Sequence, residues 1–86
     1  MYYTYVLRSK KDRKFYTGST NNLRKRFIEH NDNRVLSTKG RGPFELIYYE
    51  ASLNEQDART REKYLKSGMG ERHLKNLLKR FLCLMG

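Results

Sequence analysis

Tyr2–Ser9, YYTYVLRS, and Phe15–His30, FYTGSTNNLRKRFIEH, decide how this chain folds, with a short charged segment between them. In the first stretch, alternation puts Tyr3, Tyr5 and Leu7 on one face and Tyr2, Thr4 and Val6 on the other. Aromatic and β-branched residues in that pattern read as a strand buried on at least part of both faces. Lys10 to Arg13 form a polar turn, and Phe15 to Gly18 form a second strand in which Lys14, Tyr16 and Gly18 share a face. A hairpin follows. Directly opposed residues share a face, so an even loop would bring Tyr5, Tyr16 and Lys14 to one side and an odd loop would separate them. The sequence leaves that choice open.

Gly18 ends the second strand, and Ser19 or Thr20 is placed to cap a helix from about Asn21 to Asn31. Leu23, Arg26, Phe27 and His30 fall on one helical stripe, which sets an arginine and a histidine among apolar residues, while Arg24, Lys25 and Glu29 take solvated positions. Taken alone, this is satisfied by an arginine snorkelling at the edge of the stripe and a histidine at the helix C-terminus. A phenol pair and an arginine facing one surface would also suit the handling of a phosphodiester.

The 86 residues make one domain, 1–86, with a modest core. Nineteen Lys and Arg against nine Asp and Glu leave a formal charge of +10, so polyanions are the expected partners. No apolar run approaches the ~20 residues that span a bilayer, and the N-terminus lacks a signal-peptide pattern, so a soluble, cytoplasmic protein is expected. Cys83 has no second cysteine to pair with and reads as a small core or frayed-end residue. The two histidines and one cysteine are too scattered for a zinc-type ligand set.

Asn31 to Gly42 reads as an irregular loop ending at Pro43, in which Lys39 and Arg41 lie among glycines; it serves equally as a close backbone approach to phosphates or as a plain flexible connection. Phe44 to Glu50 is the third strand, with Phe44, Leu46 and Tyr48 on one face and Glu45, Ile47 and Tyr49 on the other. Ser52 and Glu55 have the form of a capping box for a second helix running to about Ser67. On that helix Glu62 shares a stripe with Ala58 and Leu65, and a carboxylate on a buried face needs a partner. Arg26 and a bound divalent cation both qualify. Arg59, Arg61, Lys63 and Lys66 make a basic surface, and after Gly68 and Gly70 the residues Leu74, Leu77, Leu78, Phe81 and Leu82 form an amphipathic last helix.

In order and spacing these residues resemble the GIY-YIG nuclease family, in its small stand-alone form. The two named motifs correspond to Tyr3-Thr4-Tyr5 and Tyr16-Thr17-Gly18. The family's helix arginine falls on Arg26, the histidine one turn later on His30, the metal-binding glutamate on Glu62, and a later asparagine on Asn76. Tyr3 and Thr4 replace the glycine and isoleucine of the first motif, and Thr17 the isoleucine of the second. Ser19 stands where some members carry a lysine, and Lys14 is the candidate substitute.

The resemblance implies an α+β fold, a three-stranded antiparallel sheet flanked by helices in the order ββαβαα. It also implies hydrolysis of DNA phosphodiesters with one Mg²⁺ or Mn²⁺ on Glu62. Arg26 would meet the charge on the non-bridging oxygens. Tyr5 would deprotonate the attacking water, with positive charge from Lys14, His30 or the metal to lower its pKa. Tyr16 would hold the phosphate or the water in line. Lys14, Lys39, Arg41, Arg59, Lys66 and Asn76 would contact DNA. With no second domain to read bases, the target is a DNA structure, any DNA, or a site supplied by a partner protein, with roles in repair or recombination in view. A non-catalytic DNA- or RNA-binding module is the competing reading, since a basic face and tyrosines serve phosphate contact and stacking equally well.

Overall fold

The computed structural model describes residues 1–84. Three strands, β1 (Tyr2–Ser9), β2 (Phe15–Thr20) and β3 (Phe44–Ser52), form an antiparallel sheet in the order β2-β1-β3. As the central strand, β1 is covered on both faces, and every residue from Thr4 to Ser9 is buried. On one face Tyr5, Leu7 and Phe44 pack with Tyr16, Leu23, Phe27 and Leu46. On the other, Val6, Leu65 and Leu74 pack with Phe15, Ile47 and Tyr48. Helix α1 (Leu23–Asn31) covers the first face, and α2 (Glu55–Lys66) with α3 (Gly68–Leu77) covers the second. The α+β architecture, a three-stranded antiparallel sheet flanked by helices, is that expected from the sequence.

The hairpin register resolves the loop parity. Leu7 pairs with Tyr16 and Tyr5 with Gly18, so both tyrosines lie on one face. The turn closes through Ser9, whose amide donates to the Lys14 carbonyl at 3.0 Å and whose hydroxyl oxygen accepts from the amides of Lys11 and Asp12.

Several local expectations are corrected. The second strand runs on to Thr20, so Ser19 and Thr20 do not cap α1; Asn22 does, its side chain accepting from the Lys25 amide at 3.1 Å. Likewise Asn54 caps α2 by accepting from the amides of Gln56 and Asp57, which displaces the Ser52–Glu55 capping box. Asparagine is as good a cap as serine, and strand pairing decided between them. Tyr48 does not share a face with Phe44 and Leu46. Val6 pairs with Tyr48 and Leu7 with Leu46, so Ile47 is the extra residue of a β-bulge and the alternation flips past it. Tyr49, opposite Tyr5, therefore joins the Tyr5 face.

Gly68 and Gly70 lie within α3, not before it. A Cβ on Gly70 would stand 1.9 Å from the Tyr64 carbonyl oxygen, so the missing side chain lets α3 lie directly on the end of α2. The last helical region breaks at Leu78 into α3 and a short α4 (Lys79–Leu84), adding one helix to the expected order. Leu77 is exposed and Cys83 is exposed, which places the cysteine outside the core. No helix among the described residues is long and apolar enough to cross a membrane.

Candidate active site

Gly18 explains where the Tyr5 phenol lies. A Cβ built there would sit 2.5 Å from the Tyr5 hydroxyl oxygen and 2.7 Å from the ring carbon that bears it. The ring thus crosses the neighbouring strand over bare backbone, and only glycine leaves that path open. Tyr5 is 1% exposed. Burial is the main reason its phenol is pushed up to about 12, outweighing the lowering influence of the nearby Arg26 guanidinium, with the phenol of Tyr16 and the carboxylate of Glu62 adding to the rise.

His30, wholly buried at the end of α1, sits against both phenols. Its ring centroid is 5.7 Å from that of Tyr5 and 5.0 Å from that of Tyr16. Nε2 lies 2.8 Å from the Tyr5 hydroxyl and Nδ1 2.7 Å from Thr38 Oγ1. Thr38 donates its own proton to the Val35 carbonyl at 3.4 Å, so Nδ1–H donates to Thr38 and Nε2 accepts from Tyr5. Burial, and next the nearby Arg26 guanidinium, lower the His30 pKa to about 4. His30 is therefore neutral near pH 7 and is not the positive charge expected to lower the Tyr5 pKa. Nor is Lys14: it lies exposed in the turn and is absent from the groups that act on the Tyr5 phenol.

Arg26 stands at the rim, its side chain 39% exposed, within 3.4 Å of Glu29 Oε1 and close enough to the Tyr5 oxygen to act on it electrostatically. It is not paired with Glu62, which removes the internal Glu–Arg bridge as the reason for that carboxylate's position. Ser19 donates to Glu62 Oε1 at 2.7 Å, and Lys66, one turn along α2, holds Oε2 at 2.7 Å. The Lys66 ammonium also lies 6.0 Å from the centre of the Tyr16 ring. Lys66 is thus the cation beside both Tyr16 and Glu62. Glu62 remains 21% exposed and faces the site.

Among the described residues no cluster of three or more His, Cys, Asp or Glu side chains could hold a metal. A single carboxylate still fits a hard ion that keeps most of its waters and takes further oxygens from a phosphate. Glu62 would be the protein ligand, once Lys66 had moved off Oε2.

The basic residues fall into two groups. Arg26 and Lys66 flank the phenols. Arg59 pairs with Glu55 at 3.1 Å, Arg61 with Glu50 at 2.5 Å, and Arg41 with Asp12 at 3.5 Å while its carbonyl accepts from Ser9. Arg41 and Arg61 therefore brace the fold. Lys39 is exposed beside the buried Thr38, and Asn76 is exposed near the end of α3. Sequence reasoning missed Thr38, which fixes the His30 tautomer, and Ser37, whose hydroxyl donates to the Tyr16 oxygen at 3.3 Å. Both come from a loop that folds as a 3₁₀ turn, Leu36–Thr38, and no periodic signal marks it.

A model of the GIY-YIG catalytic domain matches residues 1–76. The UPF0213 protein CPE1444 of Clostridium perfringens is 46% identical over 67 residues, covering 77% of this chain and 71% of the relative. A UPF0213 protein of Oceanobacillus iheyensis is 39% identical over 66 residues, with 76% of each chain covered. The solution structure of the UPF0213 protein BH0048 of Bacillus halodurans shares the fold at a TM-score of 0.56 and 32% identity, over 90% of this chain and 85% of that one. None of these names states an activity.

Proposed function

The chain belongs to the GIY-YIG catalytic domain family, and from that premise we propose that it is a divalent-metal-dependent DNA endonuclease whose chemistry centres on Tyr5. The observation that carries this reading is the convergence on one phenol. Tyr5 is hydrogen-bonded to His30 and lies within electrostatic reach of Arg26, Tyr16 and Glu62. A core tyrosine needs one hydrogen-bond partner, not a neutral imidazole, a guanidinium and a nearby carboxylate.

Bound at Glu62, one Mg²⁺ or Mn²⁺ would supply Lewis-acid stabilisation of the leaving oxygen. Arg26 leaves Glu29 and Tyr5 to present its fork to the non-bridging phosphate oxygens, whose charge grows in the transition state. Lys66, displaced from Glu62, contacts the same phosphate. The Tyr5 oxygen accepts a proton from the attacking water while its own proton passes to His30 Nε2, and Thr38 keeps the imidazole aligned. This relay replaces the expectation of a standing phenolate, because a phenol raised to about 12 is neutral at pH 7 and its proton already points at an acceptor. Tyr16 positions the phosphate, with Ser37 and Lys66 around it.

Structure-specific cleavage in repair or recombination, with or without a partner protein that chooses the site, is the role we assign, because a domain of this size offers a cutting site and a basic surface. Two observations favour a non-catalytic binding module: both Glu62 oxygens are engaged, and the Tyr5 phenol is raised away from the phenolate. Purified protein incubated with labelled duplex, branched and single-stranded DNA and RNA, in Mg²⁺, Mn²⁺ or chelator, separates the two. Divalent-dependent DNA cleavage is expected. Binding without cleavage under every metal condition would establish the module.

A further inference from the structure

The two oxygens of Glu62 are held by partners of different kinds. Ser19, on the edge strand β2, donates to Oε1 at 2.7 Å, and Lys66, one turn further along α2, holds Oε2 at 2.7 Å. The Ser19 hydroxyl stands one carbon from a paired strand, so it fixes the direction in which the carboxylate points. Lys66 reaches Oε2 on a flexible four-carbon stem. A cleft of about 190 Å³, lined by Tyr16, Thr17, Lys66 and Glu71 among others, opens beside that stem and gives it room to move.

A Glu–Lys pair one turn apart on a helix is ordinarily a solvated contact worth a factor of about two. The surroundings of this pair are not ordinary. The Glu62 side chain is 21% exposed and that of Lys66 50%, so the carboxylate is seated between β2 and α2 while the ammonium comes to it from outside. An ammonium at hydrogen-bond distance from Oε2 stands close to where a hard cation would bind that oxygen, and two cations repel each other there.

We propose that Ser19 and Lys66 are the fixed and the removable partner of Glu62. Ser19 is a positioning residue that keeps Oε1 turned toward the site, and Lys66 stands in the cation's place at Oε2 until a DNA phosphate draws its ammonium away. Divalent-ion binding therefore follows DNA binding, and the free protein loads the ion poorly. The coupling is reciprocal: an ion that expels Lys66 from Glu62 also frees it for the phosphate. This rests on the reading of Glu62 as the metal ligand, but ion binding can be measured apart from cleavage.

The amide NMR signals of Ser19 and Glu62 report on the site directly. Mg²⁺ is titrated into the Tyr5→Phe protein, in which slow cutting lets the DNA survive, with and without a saturating short duplex. Adding Lys66→Met to that background should tighten Mg²⁺ binding about 3- to 10-fold without DNA. The gain in Mg²⁺ affinity that DNA brings should shrink by the same factor, and Lys66→Arg should behave like its parent. Ser19→Ala should weaken Mg²⁺ about 10-fold with and without DNA, and Ser19→Thr, which keeps the hydroxyl, should restore it. Equal Mg²⁺ affinity in Lys66→Met and its parent without DNA, or an equal gain from DNA in both, would overturn the coupling. Mg²⁺ affinity untouched by Ser19→Ala in a folded protein would overturn the positioning role. Either result would leave Glu62 as the metal ligand, whereas signals that Mg²⁺ never shifts, in any variant and with or without DNA, would overturn the inference together with the metal site. Coupling found in a protein whose wild type never cuts DNA would keep the inference and discard the endonuclease.

Discussion

Tyr5 and His30 share one proton, and the state of that pair determines the pH dependence of the reaction. In the free protein the phenol is raised to about 12 and the imidazole lowered to about 4, so between those limits both are neutral and the relay is ready. Single-turnover cleavage should therefore be nearly flat from about pH 6 to 9. Tyr5→Phe keeps the ring over Gly18 but deletes the oxygen, and should cost the ~10²–10⁴-fold typical of a lost general base. His30→Gln removes the acceptor and should replace the plateau by a rise with pH, since only the phenolate then remains as base; a flat profile in that variant would exclude the relay. Lys66 is the other residue-scale device. Lys66→Met frees Glu62 Oε2 and should lower the Mg²⁺ concentration for half-maximal activity while weakening DNA binding, whereas Lys14→Met should leave the Mg²⁺ requirement unchanged. A metal titration of both variants checks this. At this scale Arg26, His30 and Glu62 stood out in the sequence as polar groups on apolar stripes, and the family resemblance joined them with Tyr5 and Tyr16 into one candidate site. Thr38 did not, because it lies in a loop without periodicity, and Lys66 was expected only as a DNA contact, not as the partner of Glu62 beside Tyr16.

Each element begins or turns at a residue that the sequence offered in more than one place. Asn54 accepts from two amides at the start of α2, the helix that carries Glu62 and Lys66. Asn54→Ala should lower stability by ~1 kcal/mol, measured by denaturant melts, while Ser52→Ala, at the discarded capping box, should be nearly neutral. A larger loss at Ser52 than at Asn54 would move the helix entry back to the capping box. Alternation made the third strand legible only as far as Leu46. Ile47 breaks the pattern because a bulge is a pairing decision that one strand does not encode alone. Gly70 defies the rule that glycine ends a helix. Its position inside α3 follows from a close helix crossing, and only the packed structure shows that contact.

For the molecule as a whole, a neutral buried histidine ties folding to pH. The folded pKa of His30 lies near 4, below the unfolded value near 6.5, so in that window the unfolded chain binds more protons and stability falls as the pH falls. Urea melts from pH 7 to pH 4 should show a steeper loss for the wild type than for His30→Gln; parallel curves would mean that His30 is not held neutral. The net charge of +10 pointed to the class of partner at first sight, but several of its arginines turn out to brace the fold, Arg61 on Glu50 and Arg41 on Asp12 among them. The central claim is that the Glu62 carboxylate serves a metal ion and is not needed for the fold, and Glu62→Gln tests it most directly. In single-turnover cleavage of branched DNA in Mg²⁺, the account predicts that this variant melts like the wild type, binds DNA in chelator with near wild-type affinity and cuts nothing, whereas wild-type cleavage by a folded Glu62→Gln protein would contradict it.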